Sequence, residues 1–142
     1  MNKSEASPTD INKLVESRDL DQCLGYLSLV NGITGAILYS REGLVVAWGE
    51  DTQQNHFIES PYFLANFLES LAQYRMLGMG PLENAVSFSE HHFNLILNLG
   101  QLDLFFLVVA GTRGSYDLFK FRIDRGALAI ARLLHERGYI RS

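Results

Sequence analysis

Four histidines, one cysteine and several glycines are the residues whose types invite chemistry, and their spacing decides what each can do. Gly32, Gly35 and Gly43 free backbone N–H groups of the kind that cradle a phosphate. A phosphate loop, however, ends in lysine followed by serine or threonine before a helix, whereas these glycines flank an apolar run leading into a turn. Their reading is structural. The stretch from Gly111 to Ser115 (GTRGS) is the better anion candidate because it joins a strand-like run to a helix start, but it also lacks lysine, and helix entry accounts for both of its glycines. His91 and His92 are adjacent, so on a strand they point to opposite faces, and His56 and His135 are distant in sequence; no metal ligand is assigned. Cys23 lies on an apolar helical stripe, where a buried, inert thiol is expected. No GxSxG elbow or comparable nucleophile set occurs, so no catalytic residue and no cofactor is expected.

The elements that position these residues must come from one core. A chain of 142 residues with 47% hydrophobic and 20% charged residues has the size and apolar content of one folded domain that needs no disulfide or metal to hold it. A formal net charge of −4, with only 12 lysines and arginines spread thinly, argues against nucleic-acid binding. The N-terminus has no apolar signal-like region, and no run reaches the ~18 apolar residues of a membrane helix. With a single cysteine as well, a cytoplasmic protein with no membrane span is expected.

Residues 1–18 read as a partly flexible N-terminal arm, with Thr9 or Asp10 able to cap a short helix carrying Ile11, Leu14 and Val15. Residues 19–142 read as the domain. Asp19 caps a first core helix with Leu20, Cys23, Leu24, Leu27 and Val30 at helical spacing. The runs GAILYS (35–40) and LVVAWG (44–49) form a hairpin whose loop needs a positive φ at Gly43. Residues 50–59 are polar and read as a connection, after which Ser60 and Pro61 supply a cap and an N1 proline for a long second helix ending at Gly78 or Gly80. Three strands follow: a half-exposed edge at 85–89, an alternating strand at 92–99, and, after a Gly100-Gln101 turn, a central strand at 102–110 apolar at both parities. A last helix carries Phe119, Ile123, Ala127, Ile130 and Leu134 and ends at Gly138. The order α-β-β-α-β-β-β-α with hairpin connections predicts an α+β domain: a five-stranded antiparallel sheet with helices on both faces.

The segment VNGITGAILYSREGLVVAWGE at residues 30–50, within this order of elements, resembles the first hairpin of the Roadblock/LC7 family. Gly32, Gly35, Ala36, Leu38, Gly43, Leu44 and Ala47 match its pattern, and Glu42 stands where the family usually has aspartate. The likeness runs from about Asp19 to Arg137 and includes a glycine before the last helix, Gly114. It implies a profilin-like three-layer α/β/α sandwich that dimerises through its second helix and third strand. It further implies a regulator or scaffold for small GTPases or for dynein, with no catalytic residues of its own. In the bacterial branch the implied partner is a Ras-like GTPase, whose hydrolysis some dimers stimulate by reshaping the GTPase's own site.

The second helix independently carries more apolar surface than one sheet can cover, an arc of roughly 220° at 100° per residue. Its shoulder residues Ala65, Leu68, Ala72 and Met76, with Val86 and Phe88 of the edge strand, are the expected homodimer interface. Its polar remainder, Asn66, Glu69, Ser70 and Gln73, with Tyr62 as an aromatic anchor, is the expected partner platform. Arg75 and Arg113 are arginine-finger candidates whose simpler reading is solvated surface. The expected function is a non-enzymatic homodimer that binds a Ras-like GTPase and modulates its nucleotide cycle. Two alternatives stay open: a scaffold for a non-GTPase motor or signalling partner, and a sensory domain holding a small ligand between helix and sheet.

Overall fold

The computed structural model describes residues 20–28, 31–80, 82–99 and 103–136. The N-terminal arm, the Gly100-Gln101 turn and the end of the last helix at Gly138 lie outside the described residues. The elements in chain order are α1 (Leu20–Ser28), β1 (Ile33–Ser40), β2 (Val45–Trp48), α2 (Gln54–Met76), β3 (Asn84–Phe88), β4 (His92–Leu99), β5 (Phe105–Thr112), a single 3₁₀ turn (Arg113–Ser115) and α3 (Tyr116–Glu136). This is the expected α-β-β-α-β-β-β-α order.

All strand pairs are antiparallel, in the order β2-β1-β5-β4-β3. The doubly apolar strand β5 is therefore central, and β3 is an edge, as their sequences require. Strict alternation sorts the side chains into two cores. Ala36 and Leu38 of β1, Phe93 and Leu95 of β4, and Leu107 and Val109 of β5 meet α1 and α3, with Cys23 buried among them. Ile37 and Tyr39, Ile96, and Phe106 and Val108 face the other way, onto Leu64, Phe67 and Leu71 of α2. The result is a three-layer sandwich.

The β1–β2 hairpin turns through Gly43 at φ +81°, with Gly43 N–H donating to the Ser40 carbonyl. Leu38 pairs with Ala47 but Tyr39 pairs with Val45, so Val46 is the extra residue of a β-bulge. Gly32, at φ +94°, lies so close to Ser115 and Thr112 that a Cβ would collide, and Gly111 approaches the Gly32 carbonyl just as closely. The anion candidate is consumed by this contact. Ser115 is buried and donates its hydroxyl to the Thr112 carbonyl at 2.7 Å, and Thr112 N–H donates to the Gly32 carbonyl at 2.7 Å.

The long helix departs from expectation at its start, beginning at Gln54 rather than at Ser60-Pro61. Its buried stripe is His56, Ser60, Leu64, Phe67 and Leu71, a helical spacing whose first two positions are polar, so residues 50–59 look like a connection. Pro61 sits inside the helix on the exposed side, where it costs the backbone bond its missing N–H would make. Ser60 is not a cap. It is fully buried and hydrogen-bonded to the hydroxyl of Tyr39. His56 is also buried, and its Nε2–H donates to the Val108 carbonyl of the central strand at 3.1 Å.

Burial pushes the Tyr39 hydroxyl above its ordinary value, with the bond to Ser60 opposing the shift. Burial holds the His56 imidazole below its ordinary value, against the smaller opposing pull of the Val108 carbonyl and Glu59. His56 is therefore neutral in the fold, and the unfolded chain takes up its proton first, near pH ~6.5. Stability from this site is present above that pH and is lost as pH falls through the folded-state value. Melting temperatures of the native protein should drop more steeply between pH 7.5 and 5.5 than those of His56→Gln, which keeps a donor for Val108 but does not titrate; parallel curves would refute the assignment. Ser60→Ala leaves the Tyr39 hydroxyl buried without this partner and should cost about 1–3 kcal/mol in urea unfolding. Adding Tyr39→Phe should recover part of that loss.

Candidate functional surface

No three His, Cys, Asp or Glu side chains converge among the described residues, and the two buried polar side chains beneath α2 are partnered within the chain. The predicted interface and platform residues lie mainly on the surface of α2. With 3.6 residues per turn, Ile58, Tyr62, Ala65, Glu69, Ala72 and Met76 form one line opposite the buried stripe. All six are exposed, with Met76 at 84%, Tyr62 at 75% and Ile58 at 58%.

The flanks of α2 are distinguished by their neighbours. Phe57 meets Trp48 edge to face at 5.9 Å, so the flank shared by Phe57, Leu64 and Leu68 leans toward β2. Phe63 lies on the opposite flank and packs, with Leu82 and Ala85 at the start of β3, against the α2-side core. Asn66 and Ser70 share that second flank, Gln73 lies between it and the outward line, and all three side chains are exposed or half-buried.

These positions divide the predicted surfaces differently from the sequence reading. Ala65, Ala72 and Met76 are together on the outward line, but Leu68 is half-buried on the β2 flank. Tyr62 and Glu69 sit on the same outward line as the three small and apolar residues, whereas Asn66 and Ser70 face toward β3. Val86 pairs with Leu95 and Phe88 with Phe93, so both side chains point to the α1/α3 face rather than to the α2 face. The structure does not bring them onto one surface with Ala65, Ala72 and Met76. Their contribution to the edge is in the backbone: Ser89 N–H donates to the His92 carbonyl and Asn98 N–H to the Glu83 carbonyl. By antiparallel alternation, the N–H and C=O groups of Asn84, Val86 and Phe88 point out of the sheet. Ile58 joins the outward line because the helix starts at Gln54, ahead of the Ser60-Pro61 start that the sequence predicts.

Both arginine-finger candidates are held within the chain. The Arg75 guanidinium grips Asp103 through two nitrogens at 2.8 Å, and Asp103 also accepts from the Asn98 amide at 2.8 Å. This ties the end of α2 to the approach to β5, where Asp103 adopts a left-handed φ of +55°. Arg113 donates to the Ser89 carbonyl at 3.0 Å and lies over the Phe88 ring, which stacks edge to face on Tyr116. No helix among the described residues is long and apolar enough to cross a membrane.

Comparison with solved structures places this architecture. Myxococcus xanthus MglB superposes with a TM-score of 0.70 at 13% identity, covering 82% of this chain and 95% of that one. A Roadblock/LC7 domain from Streptomyces avermitilis gives a TM-score of 0.66 at 15% identity, covering 86% and 99%. A structure described as MglB with tetrameric arrangement gives 0.65 at 19% identity, covering 92% and 94%. At these identities the likeness establishes the fold. No curated protein matches the sequence. A family profile described as "Mitogen-activated protein kinase kinase 1 interacting" matches residues 18–116, the greater part of the chain. The chain belongs to the mitogen-activated protein kinase kinase 1 interacting family and has the Roadblock/LC7 fold.

Proposed function

We propose that this protein is a homodimeric regulator that binds a small Ras-like GTPase and modulates its nucleotide cycle without catalytic residues of its own. The observation that carries the reading is the outward line of α2, an exposed strip of apolar and small residues around Glu69, on a helix whose Asn66/Ser70 flank faces the β3 edge strand. Fold similarity to MglB structures, one of them described as tetrameric, supports a regulatory domain that self-associates.

In this proposal the β3 edges of two copies pair across a twofold axis through the backbone groups of Asn84, Val86 and Phe88. Val86 and Phe88 then meet their copies on the α1/α3 face. The α2 flank carrying Asn66 and Ser70 turns toward the partner helix, and Gln73 borders the seam. The two outward lines lie side by side, so Tyr62, Ala65, Glu69, Ala72 and Met76 of both copies make one platform for the GTPase. Tyr62 supplies the large anchor of the kind that dominates interface energetics, and Glu69 supplies orientation. Arg75 and Arg113 stay with their own intramolecular partners, so the GTPase supplies its own catalytic groups.

Sedimentation at micromolar concentration should give a dimer, and Ser70→Arg should shift it toward monomer while leaving the circular dichroism unchanged. A monomeric native protein would overturn the assembly. Capture from native lysate should recover one GTPase in amounts that depend on whether GDP or a non-hydrolysable GTP analogue is present. Glu69→Arg should abolish that capture with the dimer intact. The purified chain alone should give no saturable heat with Mg²⁺-GTP, and Arg113→Ala should leave any stimulated hydrolysis within a few-fold of the native protein. Normal capture by Glu69→Arg, or a loss near 10³-fold in Arg113→Ala, would refute the proposed platform or the division of labour respectively.

A further inference from the structure

Among the described residues the sheet has a second open edge, at β2, on the side away from β3. Gly49 N–H donates to the Ala36 carbonyl and Ser40 N–H to the Leu44 carbonyl, both inward toward β1. Alternation on either side of the bulge then leaves the N–H and C=O groups of Val45 and Trp48 pointing out of the sheet. An edge of this kind accepts another extended chain. Natural edges are usually guarded by lysine, proline or a covering element, but β2 is the sequence VVAW, and Leu44, Val45, Val46 and Trp48 are all exposed, Trp48 at 51%. Val45 and Trp48 pair with Tyr39 and Ile37, so their side chains lie on the α2 face, and Phe57 supports Trp48 from behind.

The chemistry around this edge selects its occupant. Glu42 in the hairpin loop and Glu50 and Asp51 just after the strand are exposed carboxylates, opposed in residues 41–51 by Arg41 alone. A second copy of the chain would set two acid-rich rims against each other. A basic segment is instead complementary. The bulge at Val46 interrupts regular pairing after a few residues, so the occupant is a short segment rather than another sheet.

We propose that the β2 edge, from Val45 to Trp48, receives a short extended peptide of alternating basic and aliphatic residues from a partner protein, which adds as a sixth strand. Main-chain hydrogen bonds to Val45 and Trp48 supply the pairing, the aliphatic side chains pack on Val45 and Trp48, and the basic ones reach Glu42, Glu50 and Asp51. The site is separate from the β3 edge and from the outward line of α2, so its occupancy is compatible with a dimer.

The test uses the full chain and a fluorescein-labelled heptapeptide, Lys-Val-Arg-Ile-Lys-Val-Arg, with anisotropy as the readout. Saturable binding is expected, accompanied by slowed hydrogen exchange at the Val45 and Trp48 amides. The same peptide N-methylated at alternate residues keeps its charge but loses one row of donors and should bind at least about tenfold more weakly. The double variant Glu50→Lys/Asp51→Lys should weaken binding by a similar factor, and Val45→Pro should abolish it with circular dichroism and sedimentation unchanged. If Val45→Pro unfolds the chain, the N-methylated peptide and the exchange map still decide. Equal binding of the N-methylated peptide, protection at α3 or β3 instead of β2, or no saturation by 1 mM peptide (~1 mM being the weak end of specific recognition) would overturn the proposal. A dimer or tetramer that Glu50→Lys/Asp51→Lys strengthens would assign the edge to a second copy instead.

Discussion

The burial of β5 on both faces is the constraint from which the rest of the architecture follows. A strand with no solvent-facing side can exist only with a layer above and a layer below, and its backbone groups must be met by a full-length strand on each side. Residues 106–110 are apolar at both parities, so they demand α1 and α3 under Leu107 and Val109 and α2 over Phe106 and Val108. β1 and β4 supply the flanking ladders, each in register along nearly all of β5. With the centre fixed in this way, β2 and β3 are left as edges, and each edge is two strands from the core strand.

Much of this was legible in the sequence because two different periods are written there without interference. Phe93, Leu95, Leu97 and Leu99 alternate cleanly with Asn94, Ile96 and Asn98, and the observed faces follow that alternation. The glycine at the hairpin was legible because a three-residue loop demands a positive φ, which Gly43 has. The start of α2 was not legible. Its first two core positions are His56 and Ser60, whose burial depends on acceptors and donors from Val108 and Tyr39, and no periodicity of apolar residues records a tertiary hydrogen bond.

The surface residues were harder for a related reason. A helical wheel gives the angle between two residues of one helix but not the direction of the sheet beneath it. Helical spacing puts the dimer shoulder and the partner platform on α2, but nothing in it says which flank faces β3. The Phe57–Trp48 contact fixes that orientation. The same ignorance affected Val86 and Phe88, whose spacing identified a half-exposed strand while their face depended on pairing with Leu95 and Phe93. Arg75 looked like a solvent cation because its carboxylate partner is 28 residues away.

The polar anchors of α2 explain why its outward line is a dependable surface. Apolar packing alone tolerates a helix sliding or rotating by a fraction of a turn, since many arrangements of Leu64, Phe67 and Leu71 over a flat sheet bury similar area. Hydrogen bonds do not tolerate it, because a buried donor or acceptor displaced by an ångström is left unsatisfied at full cost. His56 on Val108 and Ser60 on Tyr39 fix the first half of the helix, and Arg75 on Asp103 fixes its end. Three directional contacts spread over 20 residues set both the position and the rotation of α2. The exposure of Tyr62, Ala65, Glu69, Ala72 and Met76 on one line is thus a consequence of the polar residues underneath, His56 and Ser60, whose burial cost converts an amphipathic helix into a surface of fixed shape, while the partly exposed Arg75–Asp103 pair adds direction at the helix end.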